Sequence, residues 1–334
     1  MTALLQARAL VKLYPVGNGW TVRQRLHAVD GVDLAIEEGE CVGLVGESGC
    51  GKSTLARLVA RLVEPSSGEI VFDGVNICGA PLSAFSGTPA RRKIQAVFQD
   101  PNESLNPGFT AFEAVAKPVR RLLRPRGEAA VREAVERAFD DVGLPQDLAR
   151  RHPHQLSGGQ KARVVIARAI AVDPKLLILD EPTSALDASV QSIILKLLGG
   201  LRAKRRMSYL FVSHDLEVVR LICDRIDVMY LGRIVESAPT AALLSAPKHP
   251  YTRALLDASP NPARRGVKTQ RLEGTAKSPI DPDQRVCRFA GRCPVEIDIC
   301  TRASPPLLPI GAGRRVACHR ASEMGPAERP EATA

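Results

Sequence analysis

Gly-Glu-Ser-Gly-Cys-Gly-Lys-Ser at residues 46–53, with Thr54 next, is the stretch that decides the fold of this 334-residue chain. It matches the phosphate-loop pattern G-x-x-x-x-G-K-[ST], which has to follow a strand and open a helix. Residues 41–45 form an apolar run typical of a buried strand, and apolar residues recur with helical spacing from residue 53 to residue 62. The sequence therefore predicts a nucleoside triphosphate site at this point of the chain.

Each part of this loop has a predicted task. Its backbone N–H groups can surround a β-phosphate because glycine has no Cβ to block the approach, and the following helix directs its positive end at the anion. Lys52 is expected to reach the β- and γ-phosphates, and the Ser53 hydroxyl is expected to bind Mg²⁺. The predicted nucleotide-binding residues of the loop are Gly46, Glu47, Ser48, Gly49, Cys50, Gly51, Lys52, Ser53 and Thr54.

Two acidic residues follow a second apolar run. Asp180 and Glu181 come directly after the four aliphatic residues 176–179. A buried strand is therefore predicted to deliver Asp180 to the edge of the sheet, beside Mg²⁺. Glu181 is the predicted general base, which has to lie within hydrogen-bonding reach of the attacking water. The pair predicts hydrolysis as well as binding.

A second phosphate-binding segment is predicted at residues 157–160. Ser157 is a good helix N-cap, and Gln160 three residues later completes the capping-box pattern. Gly158 and Gly159 leave the first N–H groups of the helix accessible, which favours an anion at this position.

The phosphate loop, Leu-Ser-Gly-Gly-Gln at residues 156–160 and Leu-Leu-Ile-Leu-Asp-Glu at residues 176–181 occur in this order along the chain. In this the chain resembles the ATP-binding cassette (ABC) ATPases, over residues 1–240 or so. The resemblance implies an α/β fold with a P-loop NTPase core, the ABC β-subdomain, an inserted helical subdomain and a small loop-rich C-terminal extension. It also implies that two subunits sandwich ATP, with residues 157–160 of one closing on the γ-phosphate held by the other.

Further positions match the same family. Gln99 resembles the loop glutamine that senses Mg²⁺ and the membrane partner, and His214 resembles the switch histidine that contacts the γ-phosphate. Tyr14 is expected to stack on adenine, with Trp20 as the alternative. The implied Mg²⁺ ligands are Ser53, Gln99 and Asp180, and the implied catalytic residues are Glu181 and His214.

Two segments resemble the ATPases of dipeptide and oligopeptide importers. They are residues 99–107 and the His-Pro-Tyr element at residues 249–256, which opens a C-terminal extension in those proteins. The implied domains are residues 1–245, with the helical subdomain at about 100–170, and residues 246–334. The implied function is ATP hydrolysis that powers peptide import, although importers of nickel or another small solute share these segments.

The resemblance also implies an assembly. It would contain two transmembrane permease subunits, a second ATPase subunit (a paralogue or a second copy) and an extracytoplasmic substrate-binding protein, with this chain at the cytoplasmic face of the inner membrane. The sequence is consistent with that place, since no apolar run approaches the roughly 18–20 residues of a membrane span. Residues 1–8 also lack the pattern of a signal peptide.

The alternative from another class is a soluble cassette ATPase that acts on ribosomes or DNA. The net charge of +10 allows it, but the basic residues are scattered and aromatic residues make up only 4% of the chain. Nucleic-acid binding is therefore not expected. Such translation factors usually carry two cassettes, and this chain has one phosphate loop.

Four cysteines occur in the proline-rich and core-poor C-terminal segment, with the spacing C-x5-C-x6-C-x17-C. They are Cys287, Cys293, Cys300 and Cys318. Thiolate coordination can replace missing hydrophobic burial. Structural zinc usually takes one tight C-x2–4-C pair, so the wider spacing favours a [4Fe–4S] cluster, with Zn²⁺ or free buried thiols as alternatives. The pattern also resembles the cysteines of peptide-importer ATPases that hold an iron–sulfur cluster.

Overall fold

The computed structural model describes residues 3–17, 24–258 and 278–324. The strands are β1 (Leu5–Val16), β2 (Gln24–Ile36), β3 (Cys41–Val45), β4 (Ser67–Phe72), β5 (Val75–Asn76), β6 (Ile94–Val97), β7 (Leu176–Asp180), β8 (Ser208–Ser213), β9 (Arg225–Tyr230), β10 (Arg233–Pro239), β11 (Leu308–Pro309) and β12 (Arg315–Val316). The α-helices are α1 (Lys52–Val59), α2 (Leu82–Phe85), α3 (Pro89–Lys93), α4 (Pro101–Ser104), α5 (Ala111–Pro118), α6 (Glu128–Asp141), α7 (Gly158–Ile170), α8 (Ala188–Arg205), α9 (Leu216–Ile222), α10 (Thr240–Ser245) and α11 (Pro250–Ala258).

The larger sheet has the strand order β11-β12-β10-β9-β3-β8-β7-β6, in which the strands from β9 to β6 are parallel. Every residue of β3, β7 and β8 is buried. Parallel strands that are covered on both faces read as continuous apolar runs rather than as alternating patterns. This explains the unbroken apolar residues before the phosphate loop and before Asp180, and it confirms the predicted α/β alternation.

The smaller sheet is antiparallel and has the strand order β2-β1-β4-β5. Its inner side chains, together with α1, form one apolar core with Ile178 of β7 and Leu210 of β8. Leu177 and Leu179 of β7 point into a second core on the opposite face, with α7 and α8. Because side chains alternate between the two faces of a strand, β7 contributes residues to both cores.

The helices α4 to α7 lie between β6 and β7 in the chain, where the sequence predicts the helical subdomain. Capping boxes start α5 at Thr110 and α7 at Ser157. One turn of π-helix over Val119–Leu123 follows Pro118. Phe139 of α6 is fully buried among these helices. Within the described residues no helix has both the length and the apolarity needed to cross a membrane.

The C-terminal segment packs on the rest of the chain instead of forming its own core. β12 pairs with β10 through Glu236 and Val316, which extends the larger sheet. Tyr251 and Phe289 are buried in the same core as α7 and α8. The C-terminal segment has few apolar residues and is stabilised by packing against a core that the preceding residues form.

The buried position of Phe139 gives a test of the core beneath α6. Phe139→Ala should lower the free energy of unfolding by about 3–5 kcal/mol, because it removes a buried ring and leaves a cavity. Urea denaturation of the purified chain measures the change. Glu136→Ala, an exposed position on the same helix, is the control and should change stability by less than about 0.5 kcal/mol. Equal effects of the two substitutions would contradict the packing of α6.

Candidate functional site

A cavity of about 520 Å³ lies at the carboxyl ends of the parallel strands. Ligands of open α/β sheets bind at this edge. The cavity is lined by the loop after β3, by residues that follow β6, β7 and β8, and by β1 and β2 of the smaller sheet. Its lining residues are Tyr14, Leu26, His27, Ala28, Ser48, Gly49, Cys50, Gly51, Lys52, Ser53, Thr54, Gln99, Glu181, His214, Leu231, Gly232 and Pro279.

The glycines of the loop after β3 are required by its geometry. Gly51 has a φ of +109°, and a Cβ there would lie 2.0 Å from the carbonyl oxygen of Ala28. Only glycine can adopt this conformation in so close a contact. No side chain caps α1 at Gly51, and the first three residues of the helix line the cavity, so the start of α1 can serve as an anion site.

Lys52, the first residue of α1, is folded onto the loop. Its Nζ donates hydrogen bonds to the carbonyl oxygens of Gly46 and Glu47, both at 2.8 Å. The side chain is buried. A positive charge is therefore held at the floor of the cavity, where it attracts anionic groups.

Ser53 and Asp180 meet beside Lys52. Ser53 Oγ donates to Asp180 Oδ1 at 3.2 Å. Burial raises the pKa of the Asp180 carboxyl above its usual value, the hydrogen bond from Ser53 opposes the rise, and the charge of Glu181 adds to it. A cation beside Asp180 would stabilise the ionised form of its carboxyl group. A hydroxyl and a carboxylate oxygen, with phosphate oxygens to complete the shell, are the ligands that Mg²⁺ prefers.

Glu181 lies between two polar side chains at the mouth of the cavity. Gln99 Nε2 donates to Glu181 Oε2 at 3.1 Å, and His214 Nδ1 lies 3.2 Å from Glu181 Oε1. Glu181 has a φ of +50°, which is uncommon for a residue with a side chain. Its N–H donates to Val212 O at 3.0 Å and holds this turn. Backbone strain of this kind is common at functional sites, where a side chain has to be held in one direction.

Two predicted residues of the loop do not line the cavity. Neither Gly46 nor Glu47 is among the lining residues. The Glu47 N–H, which the sequence predicts to face a phosphate, donates to Tyr251 Oη at 2.8 Å. The Glu47 N–H is thus paired with an acceptor from a distant segment, which the loop sequence cannot reveal. The nucleotide-binding role of Glu47 stays a prediction.

Residues 157–160 also lie outside the cavity. Ser157 Oγ accepts from the Gln160 N–H at 3.3 Å, and Gln160 Oε1 accepts from the Ser157 N–H at 2.9 Å, so the predicted capping box is confirmed. Ser157 and Gly158 are exposed. The start of α7 is accordingly available to a ligand that this chain does not itself hold.

The aromatic wall of the cavity contains Tyr14, as the sequence predicts, and the Nζ of Lys12 lies 5.1 Å from the centroid of its ring. Trp20, the alternative, lies outside the described residues. Pro279 was not predicted. It comes from the C-terminal segment, and its carbonyl oxygen accepts from the His27 N–H at 2.9 Å. No local pattern around Pro279 indicates this contact, since it depends on how two distant segments pack.

The four C-terminal cysteines converge but do not form a ligand group. Burial raises the pKa of Cys293 to about 11, and the neighbouring thiols of Cys318, Cys287 and Cys300 contribute to the rise. Within residues 3–17, 24–258 and 278–324, no three His, Cys, Asp or Glu side chains are arranged to hold a metal ion. The structure therefore does not support the predicted [4Fe–4S] cluster or Zn²⁺.

Comparisons with known families agree with this geometry. Residues 29–184 match the family described as ABC transporter, and residues 235–300 match the family described as Oligopeptide/dipeptide transporter, C-terminal region. The second match contains Tyr251, Cys287, Cys293 and Cys300.

Two curated relatives cover almost the whole chain. A protein of Sinorhizobium fredii named as a probable peptide ABC transporter ATP-binding protein is 44% identical over 95% of this chain and 90% of its own length. A protein of Brucella ovis, whose name provisionally describes a peptide import ATP-binding protein, is 44% identical over 96% of this chain and 98% of its own length.

Two solved structures share the fold of the cassette. One is a dimeric ATP-binding cassette in a post-hydrolysis state bound to ADP and Pi, with a TM-score of 0.64 and 32% identity over 71% of this chain and 98% of that chain. The other is a cassette of Clostridium perfringens that is part of an ABC transporter complex, with a TM-score of 0.61 and 30% identity over 73% of this chain and 91% of that chain.

Proposed function

This chain belongs to the ABC transporter family of ATP-binding proteins, which are ATPases, and we propose that it hydrolyses ATP to power the import of peptides. The observation that carries the proposal is the convergence of Lys52, Glu181 and His214 on one cavity, with Asp180 hydrogen-bonded to Ser53 of its lining. The C-terminal match to oligopeptide and dipeptide transporters, and the names of the two relatives, support peptides as the imported solute.

The side chains of the cavity divide the chemistry among them. Lys52 and the N–H groups at the start of α1 bind the phosphates, and Ser53, Asp180 and Gln99 would hold Mg²⁺ through their oxygen atoms. When bound, Mg²⁺ would supply positive charge beside the phosphates. Glu181 accepts the proton of the attacking water, and His214 holds the Glu181 carboxylate in place through the contact between Nδ1 and Oε1.

Hydrolysis by this arrangement requires a second subunit. The start of α7, with Ser157 and Gly158 exposed, lies outside the cavity of its own chain. A second copy or a paralogue that faces this chain would bring its own α7 to the γ-phosphate. The dimeric state of the related cassette with ADP and Pi supports this assembly. Tyr14 is then the side chain that stacks on adenine.

A groove of about 430 Å³ beside Gln99 supports docking of a permease. It lies between the end of α1, β6, α5 and α7, and its lining includes Leu62, Phe98, Pro118, Leu122 and Arg168. Leu62 is 43% exposed, so an apolar side chain is accessible at the surface of this groove. A short cytoplasmic helix of one permease would occupy this groove, and a helix of the second permease would occupy the groove of the second ATPase subunit. This docking would place the chain at the cytoplasmic face of the inner membrane. The substrate-binding protein would act on the other side.

Glu181→Gln tests the assignment of the general base. Hydrolysis in the assembled transporter should fall by about 10²–10⁴-fold, because the general base is lost. MgATP binding should persist, so a closed ATP-bound dimer should accumulate in size-exclusion chromatography. Lys52→Ala should instead weaken nucleotide binding. Glu217→Gln, an exposed carboxylate of α9 paired with Arg220, is the control. Wild-type turnover by Glu181→Gln would contradict the assignment.

The groove beside Gln99 gives a second test. The purified chain alone should be a weak ATPase that permease subunits activate, because they orient two copies face to face. A photo-crosslinking residue in place of Leu62 should capture the cytoplasmic loops of the permeases. The control is the same residue in place of Val75, an exposed position on β5 of the smaller sheet. Crosslinks confined to the C-terminal segment would contradict docking in the groove.

A [4Fe–4S] cluster remains a proposal that rests on the proximity of the four cysteines and on their spacing. Anaerobically purified protein should be brown, should absorb near about 400 nm through thiolate–iron charge transfer, and should bleach on Cys293→Ser. Cys78→Ser, which alters a half-buried cysteine outside the segment, should leave the colour unchanged. Colourless protein with stoichiometric zinc would refute the cluster, and colourless metal-free protein would refute both metals.

A further inference from the structure

Glu47, the second residue of the phosphate loop, is held by two residues of the C-terminal segment. Its backbone N–H donates to Tyr251 Oη at 2.8 Å. Its carboxylate receives both ends of the Arg292 guanidinium, Nη1 to Oε2 at 3.1 Å and Nη2 to Oε1 at 3.3 Å. A two-point contact of this kind fixes direction as well as distance. The backbone and the side chain of one loop residue are therefore anchored from outside the loop.

Both anchoring residues are themselves immobilised by packing. The ring of Tyr251 is fully buried, with centroid distances of 4.5 Å to Tyr230 and 5.6 Å to Phe289. Arg292 Nη1 also donates to Tyr230 Oη at 3.2 Å, and the Arg292 side chain is only 9% exposed. Burial raises the pKa of the Tyr251 hydroxyl, which therefore stays neutral and can accept from the Glu47 N–H. The contact is a rigid one.

The position of Glu47 is transmitted to the cavity through the backbone. The Glu47 carbonyl oxygen accepts from Lys52 Nζ at 2.8 Å and from the Cys50 N–H at 3.3 Å. The next residue, Ser48, lines the cavity. On the other side, the backbone of Gly46 packs closely against β9, since a Cβ there would lie 2.2 Å from the carbonyl oxygen of Met229. A displacement of Glu47 would thus shift both the resting place of Lys52 and the turn that faces the phosphates.

We propose that Tyr251 and Arg292 are positioning residues of the phosphate loop, through which the C-terminal segment sets the affinity for nucleotide. The inference rests on the proposed ATPase function and adds to it a role for the C-terminal segment in the nucleotide site. By holding Glu47, the two side chains keep the loop in a single conformation before nucleotide arrives. Preorganisation of this kind lowers the entropy cost of binding.

The first test uses the full chain and measures the dissociation constant for MgATP with a fluorescent analogue. Tyr251→Phe, which keeps the ring, and Arg292→Gln should each raise the constant about tenfold, equivalent to about 1.4 kcal/mol. Arg292→Lys should restore part of the affinity, since it keeps the charge but loses the two-point contact. Arg285→Gln, which removes an exposed ion pair of the same segment with Asp283, is the matched control and should bind as the wild type does.

A second measurement separates positioning from general destabilisation. Hydrogen–deuterium exchange of the nucleotide-free chain should accelerate at residues 46–50 in Tyr251→Phe, while exchange in β7 stays at the wild-type rate. In the transporter the KM for ATP should rise and kcat should change little. The double variant with Glu47→Gln and Arg292→Gln should have a dissociation constant for MgATP no higher than that of the weaker-binding single variant, because both substitutions remove the same contact.

Three outcomes would decide between the possibilities. Unchanged affinity and unchanged exchange in Tyr251→Phe and Arg292→Gln would overturn the inference while leaving the ATPase function intact. Accelerated exchange throughout the chain, with a lower thermal midpoint, would also overturn it, because the two residues would then act on stability alone. A wild-type chain that does not bind MgATP would refute the proposed function itself.

Discussion

The site depends on the register between parallel strands of the larger sheet. Val45 of β3 pairs with Ser213 of β8, and Asp180 of β7 pairs with Val212 of β8, so all three carboxyl ends stop at one edge. The hydrogen bond from the Glu181 N–H to the Val212 carbonyl oxygen continues this alignment one residue past the strand. A slip of one residue would turn Asp180 to the opposite face of the sheet. Strand pairing therefore determines where the cavity forms, and its side chains then determine what it can bind.

Much of the site could be predicted because its signals are local. A buried apolar strand followed by glycines and a helix start describes the phosphate loop, and four aliphatic residues before Asp180 describe the second strand. The capping box at Ser157 depends on a spacing of three residues and was found in the structure as predicted. Gln99 and His214 were assigned from family resemblance, and the structure brings both to within hydrogen-bonding distance of Glu181.

The remaining features depend on contacts between distant segments, which no local pattern encodes. The loop pattern places the Glu47 N–H among the phosphate donors, yet Tyr251 accepts that hydrogen bond. Pro279 reaches the cavity only because the C-terminal segment runs along β2. The cysteine spacing is a different case, because spacing describes which thiols are available but does not fix whether they meet in a ligand geometry within the described residues. Domain boundaries and the roles of the individual site residues stay predictions for the same reason.

The pairing of β12 with β10 has a consequence for the edge of the larger sheet. It covers the backbone of β10 at Glu236 and Ser237, which would otherwise form an open edge of the larger sheet. Unpaired strand edges are templates for association with other chains, and natural sheets often end in very short strands for this reason. β12 and β11 are two residues each. The C-terminal segment therefore ends this side of the larger sheet in strands of two residues, which offer another chain few backbone groups to pair with.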